Sequence, residues 1–127
     1  MSTLVPYSTF QCSRRVSIWI GNFRSSADLD EYLCLSERFE QDFGFHLSDR
    51  NMPEIKVESG PRPIESLVEG FSWSEEFREA AAAAAHRMDI QSATTAIVFH
   101  HFAYDPTRAT VAPDAPLTFV GSFSFGA

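Results

Sequence analysis

A strict alternation of residue types runs from Leu117 to Phe125 near the end of the chain, and it dictates a β-sheet. Apolar residues or glycine occupy every second position there, and largely polar residues occupy the positions between them. Because successive side chains of a strand point to opposite faces, a period of two predicts a strand with one buried face. The same alternation occurs at 15–20 and, in a shorter form, at 54–58. It returns at 95–104, where both faces are partly apolar, which predicts a central strand.

Helical spacing and helix-start signals occupy the segments between these strands. Ser25 followed by Asp28 predicts an N-cap and a helix that continues to about Phe39. Ser72 followed by Glu75 predicts a second capping box, at the start of a helix that passes through six consecutive alanines to about Met88. The predicted buried stripe of that helix consists of Phe77, Ala81, Ala84 and Met88.

A short amphipathic helix is predicted before the alanine-rich one. Ile64, Leu67, Val68 and Phe71 have the i, i+3, i+4, i+7 spacing of a buried helix face. The segments 40–53 and 105–116 show no clear period and are expected to be loops, and Gly and Pro predict a turn at 60–63. Residues 1–13 are expected to be an irregular lead-in.

The order of these elements, β-α-β-α-α-β-β, predicts an α+β fold. We expect an antiparallel or mixed sheet of about four strands, with helices packed on one face. The length of 127 residues corresponds to a single domain, 1–127. Charged residues make up 21% of the chain and hydrophobic residues 44%, which is typical of globular domains and argues against disorder.

The negative charge of the chain is concentrated in its middle. The net charge is −7, but residues 26–79 carry 14 acids and 5 bases, a net of −9. A phosphate backbone would be repelled, so the composition disfavours nucleic-acid binding. No apolar run reaches the roughly 18 residues of a membrane span, and Met1–Phe10 lacks the pattern of a secretory signal. We therefore expect a cytoplasmic protein without a membrane partner.

Catalytic and metal-binding motifs are absent from the sequence. His100 and His101 are adjacent on a predicted strand, so they are expected to point to opposite faces and not to share a metal ion or act as a dyad. Phosphate-binding, dinucleotide-binding, zinc-protease and calcium-loop patterns do not occur. The two cysteines form no CxxC pair, and Cys34 is expected to be a small core residue. These observations predict a protein that is not an enzyme and needs no cofactor or metal.

Three stretches of the chain resemble the immunity protein 22 family. They run from Val16 to Phe23, from Leu67 to Phe77 and from Leu117 to Phe123, and the resemblance extends over about residues 16–125. It implies a small cytoplasmic α+β protein of a bacterial polymorphic-toxin system, which neutralises its cognate toxin, often a nuclease, by binding it. The resemblance implies no active-site residues for this chain.

The acidic middle of the chain agrees with that implication, because a nuclease presents a basic surface to its substrate. We expect the partner to bind the acidic residues of 28–79, with Trp19 or Trp73 as an aromatic anchor. Glu65 and Glu69 are expected to project from one helix face at i, i+4 spacing. The complete set of expected partner-binding residues is Trp19, Asp28, Asp30, Glu31, Glu65, Glu69, Trp73, Glu75 and Glu76.

Two other interpretations remain open at this point. One is a small hydrolase or transferase that uses His100 or His101 together with a nearby carboxylate. The other is an interaction module that forms homo-oligomers through an exposed strand edge. The oligomeric state does not follow from the sequence.

Overall fold

A computed structural model describes residues 4–126, and within them four strands form one antiparallel sheet. The order of the strands across the sheet is β2-β3-β1-β4. The central position of β3 is as predicted, and the α+β class with four strands is confirmed. The strands are β1 (Gln11–Gly21), β2 (Glu54–Pro63), β3 (Ser92–Phe102) and β4 (Leu117–Ser124).

The helices are mostly short, and the first predicted one is broken in two. Ser25 caps its start as expected, since its hydroxyl accepts the N–H of Asp28 at 3.1 Å. The run is then interrupted at Glu37, which has a left-handed φ of 60°. The segment 40–53 was expected to be a loop but begins with the end of a separate helix. The helices are α1 (Ser26–Asp30), continued by a π-helical turn at Glu31–Leu35, α2 (Arg38–Phe43), α3 (Ile64–Val68) and α4 (Ser74–Arg87).

Helices cover both faces of the sheet, so the prediction of helices on one face is wrong. The reason is visible in β1, where Ile18 and Trp19 point to opposite faces and both are completely buried. A tryptophan on the second face requires an apolar cover of its own, because burying it removes a large apolar area from water. The helices α3 and α4 cover the Ile18 side, and α1, the π-helical turn and α2 cover the Trp19 side.

The Ile18 side is called the alanine face here. Small side chains of α4 pack there against β-branched side chains of the central strands. The predicted stripe of α4 is correct for three of its four residues; Met88 instead follows the end of the helix and is 46% exposed. The buried residues of this face include Val16, Ile18, Ile20, Leu67, Phe77, Ala81, Ala84, Ala85, Val98 and Phe125.

The Trp19 side is called the aromatic face. The indole of Trp19 lies between six aromatic rings, with centroid distances from 4.9 Å to 6.1 Å. These rings come from five separate segments of the chain: Phe39 and Phe43, Phe45, Phe99, Tyr104, and Phe119. Trp19 is thus a core residue that fixes the packing of distant segments.

All three tyrosines of the chain belong to the aromatic face. Burial raises the pKa of Tyr7 to about 12. It also raises the pKa of Tyr32, whose hydroxyl donates to Asp42 at 2.6 Å, and that of Tyr104, whose hydroxyl donates to the Phe43 carbonyl at 2.6 Å. The aromatic face therefore favours the neutral phenols.

Three further expectations are corrected by the structure. The residues 60–63, expected to form a turn, continue β2, and prolines are tolerated there because β2 is an edge strand. Cys34 is exposed, since the buried side of this helical region is formed by Leu29 and its neighbours Tyr32 and Leu33. The segment 1–13, expected to be irregular, contains a 3₁₀ turn at Tyr7–Phe10, and β1 already begins at Gln11. Residues 1–3 of this segment lie outside the described part of the chain.

The two edges of the sheet differ in composition. The edge strand β2 contains two prolines and the charged residues Glu54, Lys56, Glu58 and Arg62. The other edge strand, β4, contains neither a proline nor a charged residue.

Candidate partner-binding surface

The loop between α3 and α4 brings the exposed tryptophan together with several of the expected acidic residues. The helix α3 ends at Val68, and Glu69 already has an extended backbone. Gly70 and Trp73 both have positive φ values, 95° and 66° respectively. The left-handed region is unfavourable for a tryptophan, so contacts of its neighbours must hold this backbone in place.

Side chains of the two nearest strands supply those contacts. The carboxylate of Glu54 on β2 accepts the N–H of Ser72 at 2.9 Å and its hydroxyl at 3.2 Å. The Nε2 of His100 on β3 lies 2.7 Å from the carbonyl oxygen of Ser72. The ammonium of Lys56 donates to the Glu69 carbonyl at 2.5 Å and lies 5.5 Å from the centre of the Phe71 ring. The loop is therefore anchored at both of its ends.

The predicted capping box at Ser72 is wrong because the side chain of Ser72 bonds to Glu54 on β2. The N-cap position of α4 is Trp73, and no side chain caps it. The hydroxyl of Ser72 is instead a donor to Glu54, so it does not serve the first turn of α4.

A groove of about 660 Å³ opens beside this loop. Its wall contains three carboxylates and a single guanidinium, that of Arg78, which lies 3.3 Å from Glu69. Trp73 stands in the wall with 55% of its surface exposed, and its ring centre is 5.6 Å from that of Phe125. The groove thus combines negative charge with a large exposed aromatic side chain. It is lined by Glu69, Gly70, Phe71, Trp73, Ser74, Glu75, Glu76 and Arg78.

The structure joins only some of the expected binding residues. Glu69, Trp73, Glu75 and Glu76 meet in the groove. Glu65 lies on α3 and is exposed, but it does not share a helix face with Glu69, because the helix ends one residue before Glu69. The expected i, i+4 pair is therefore wrong, and its like-charge penalty does not arise.

Asp28, Asp30 and Glu31 lie on the other side of the molecule. Their helical segment covers the aromatic face, whereas α4 covers the alanine face. Asp28 and Glu31 line a separate groove of about 200 Å³, together with Arg38. The expected single acidic surface is in fact two surfaces, and the smaller groove contains no exposed tryptophan.

Trp19 has no accessible surface in the structure, which contradicts its expected role as an anchor. The alternation of β1 identified the face of the sheet on which Trp19 lies. The burial of Trp19 was not predicted, because the aromatic side chains that cover it are far away in the sequence. Trp73 is the remaining candidate for the aromatic anchor.

The side chains of His100 and His101 were expected to point to opposite faces of the sheet, but both lie beside Phe125. His101 has a positive φ of 57° and lies at a register shift between β1 and β3, which changes the direction of its side chain. Both rings therefore contact Phe125, with centroid distances of 5.4 Å for His100 and 5.2 Å for His101. His101 Nδ1 accepts the N–H of Arg14 at 3.1 Å. Neither histidine lines the grooves described above.

Sequence reasoning missed Glu54, Lys56 and the bonding role of His100. Their alternation on β2 and β3 indicated strand positions, but no local signal connects them with a loop that lies 13 to 28 residues away in the sequence. Across residues 4–126, no group of three or more His, Cys, Asp or Glu side chains could hold a metal ion. No helix in the same range is long and apolar enough to cross a membrane.

Comparison with known proteins identifies one family. The family model described as Immunity protein 22 matches residues 16–126. Neither a curated protein nor a solved structure shows a significant match to the chain.

Proposed function

Because the chain belongs to the immunity protein 22 family, we propose that it binds and neutralises a cognate bacterial toxin through the groove around Trp73. The toxin is a nuclease with a basic surface, and neutralisation occurs in the cytoplasm by binding, without catalysis. The observation that carries the proposal is an exposed tryptophan in a groove lined by three carboxylates.

Charge and aromatic surface have different roles in this proposal. A net charge of −7 attracts a basic partner over a distance and raises the association rate. Tight holding requires a side chain that loses its water on binding, and tryptophan is among the residues that contribute most in interfaces. An arginine or lysine of the toxin gains both a cation–π contact with Trp73 and neutralisation by the neighbouring carboxylates.

The acidic residues outside the groove have a weaker role. Asp28, Asp30 and Glu31 on the opposite side, and Glu65 on α3, add to the long-range field without touching the toxin. Their contribution is therefore screened by salt, whereas a desolvated contact in the groove is screened much less.

The test uses the toxin domain encoded beside the gene of this protein, in a catalytically inactive form. Trp73→Ala is expected to raise the dissociation constant about 30-fold or more, which corresponds to roughly 2 kcal/mol. The rates of association and dissociation are measured by surface plasmon resonance at two salt concentrations.

Two charge reversals of equal size provide the comparison. Glu75→Lys with Glu76→Lys alters the groove, and Asp28→Lys with Glu31→Lys alters the other side; each pair changes the net charge by the same amount and affects the start of a helical segment. Glu76 differs from the other three residues in that its carboxylate also accepts the Gly126 N–H at 2.9 Å. The groove pair is expected to slow association and speed dissociation, whereas the second pair only slows association at low salt. Equal effects of the two pairs would exclude the groove, and no complex with the wild-type chain would refute the toxin-binding function.

A further inference from the structure

Glu54 is the residue that joins the edge strand β2 to the loop carrying Trp73. Its two carboxylate oxygens accept different donors of one residue, the N–H of Ser72 at 2.9 Å and the hydroxyl of Ser72 at 3.2 Å. Its Oε1 also lies 3.5 Å from Nδ1 of His100. Glu54 thus contacts the residue immediately before Trp73 from a strand that lies 18 positions earlier.

His100 completes this arrangement from the neighbouring strand. The carbonyl oxygen of Ser72 can only accept, so Nε2 of His100 is the donor in their 2.7 Å contact. The N–H, the hydroxyl and the carbonyl of Ser72 are therefore all engaged by two side chains of the sheet. Since Ser72 and Trp73 share a peptide bond, this fixes the starting point of the Trp73 backbone.

We infer that Glu54 is a positioning residue for toxin binding, which holds the α3–α4 loop so that Trp73 stands in the acidic groove before the toxin arrives. The inference rests on the proposed function. A preset anchor loses less conformational freedom on binding than one that must be ordered by its partner. Glu54 itself is absent from the groove wall, so its effect on binding passes through Ser72 and Trp73.

The experiment compares Glu54→Gln with Glu58→Gln. Both substitutions remove one negative charge from β2, but Glu58 makes no side-chain hydrogen bond or ion pair within residues 4–126. A glutamine at position 54 keeps the shape but offers one acceptor oxygen where Ser72 presents two donors. The net negative charge therefore falls by the same amount in the two variants, and loss of the bonds to Ser72 is confined to Glu54→Gln.

Two measurements are made on each variant. Hydrogen exchange of the Ser72–Ser74 amides is expected to speed up about tenfold in Glu54→Gln and to stay within twofold in Glu58→Gln, while helix α4 is unchanged in both. The dissociation constant for the inactive toxin domain of the adjacent gene is expected to rise about tenfold in Glu54→Gln and to stay within twofold in Glu58→Gln.

Outcomes other than these distinguish failure of the inference about Glu54 from failure of the proposed toxin-binding function. If Glu54→Gln binds the toxin domain as Glu58→Gln does, the inference is overturned while the proposed function stands. If the wild-type chain does not bind, the proposed function fails, and the inference fails with it. Should Glu54→Gln not fold, Ser72→Ala replaces it, because this change removes only the hydroxyl donor; its expected loss is about threefold, and unchanged binding would overturn the inference.

Discussion

The aromatic face and the alanine face solve the same packing problem in opposite ways. On the aromatic face, large rings project from the sheet and meet rings from short and broken helical segments. On the alanine face, most of the cover is α4, a regular helix of 14 residues with small side chains that lies over β-branched residues, and the short α3 lies beside it. On the aromatic face, large side chains fill the space left by short and irregular helical segments. On the alanine face, small side chains fill little space, and the helix α4 packs close to the sheet instead.

The difference also separates stability from the proposed binding. The large side chains of the aromatic face are buried in the core and are not accessible to a partner, as Trp19 shows. The regular helix of the second face leaves Trp73 outside at its beginning, next to the groove. The two faces are therefore expected to respond differently to substitution.

The largest effect is expected from Trp19→Ala on the aromatic face. Removing a ring that six others contact leaves a cavity, and such substitutions typically destabilise by about 3–5 kcal/mol. Trp19→Phe is the matched variant: it retains a ring and removes an indole N–H that has no hydrogen-bond partner within residues 4–126, so its loss is expected to be smaller. Urea unfolding measures both free energies, and equal losses would show that ring packing is not the cause.

An intermediate effect is expected from Ala81→Leu on the alanine face. Ala81 is completely buried between α4 and the sheet, so the additional atoms push the helix away and destabilise by about 1–3 kcal/mol. The control is Ala83→Leu in the same helix, where the side chain is exposed and the change is expected to stay within about 0.5 kcal/mol. Thermal unfolding compares the two. If Ala81→Leu were as mild as Ala83→Leu, the close approach of α4 would not be what packs this face.

The smallest effect is expected from the ionisation of one side chain of the aromatic face, Tyr7, at alkaline pH. The pKa of Tyr7 is about 12 in the folded protein against about 10 when exposed, so the neutral phenol stabilises the fold fully below pH 10. This stabilisation is lost as pH rises from about 10 towards 12, and at about pH 10.5 the loss for Tyr7 is under about 1 kcal/mol. Urea unfolding at pH 8 and at about pH 10.5 measures it. Tyr7→Phe should weaken this pH dependence, and an unaltered dependence would assign it to other groups.

Local patterns predicted the strands well because alternation is a property of each strand by itself. The segment 95–104 could be assigned to the centre of the sheet from its two apolar faces alone. The presence of helices on both faces was implicit in the opposite positions of Ile18 and Trp19, but the prediction assigned all of them to one face. The extent of aromatic cover required knowledge of which distant rings meet, and no local period contains it.

The two serine capping signals show where local reasoning ends. Ser25 and Ser72 are each followed by an acidic residue three positions later. Ser25 caps its helix because, within residues 4–126, its hydroxyl has no distant hydrogen-bond partner and accepts from the Asp28 N–H. At Ser72 the carboxylate of Glu54 arrives from another strand and takes both donors. The candidate site therefore depends on a tertiary contact that overrides the same local pattern.

The unlike edges of the sheet limit how far it could grow by adding strands. The prolines and charges of β2 oppose the approach of another strand, as edge strands of soluble proteins commonly do. The other edge strand within residues 4–126, β4, has neither, although a register shift opposite Ile18 and Trp19 interrupts its pairing with β1. If two molecules joined through β4, the outer edges of the joined sheet would both be β2, and no third molecule could add in the same way. Within residues 4–126, the prolines and charges that oppose fibre formation thus lie on β2, a strand of ten residues, and substitutions that remove them would open the way to continuous stacking.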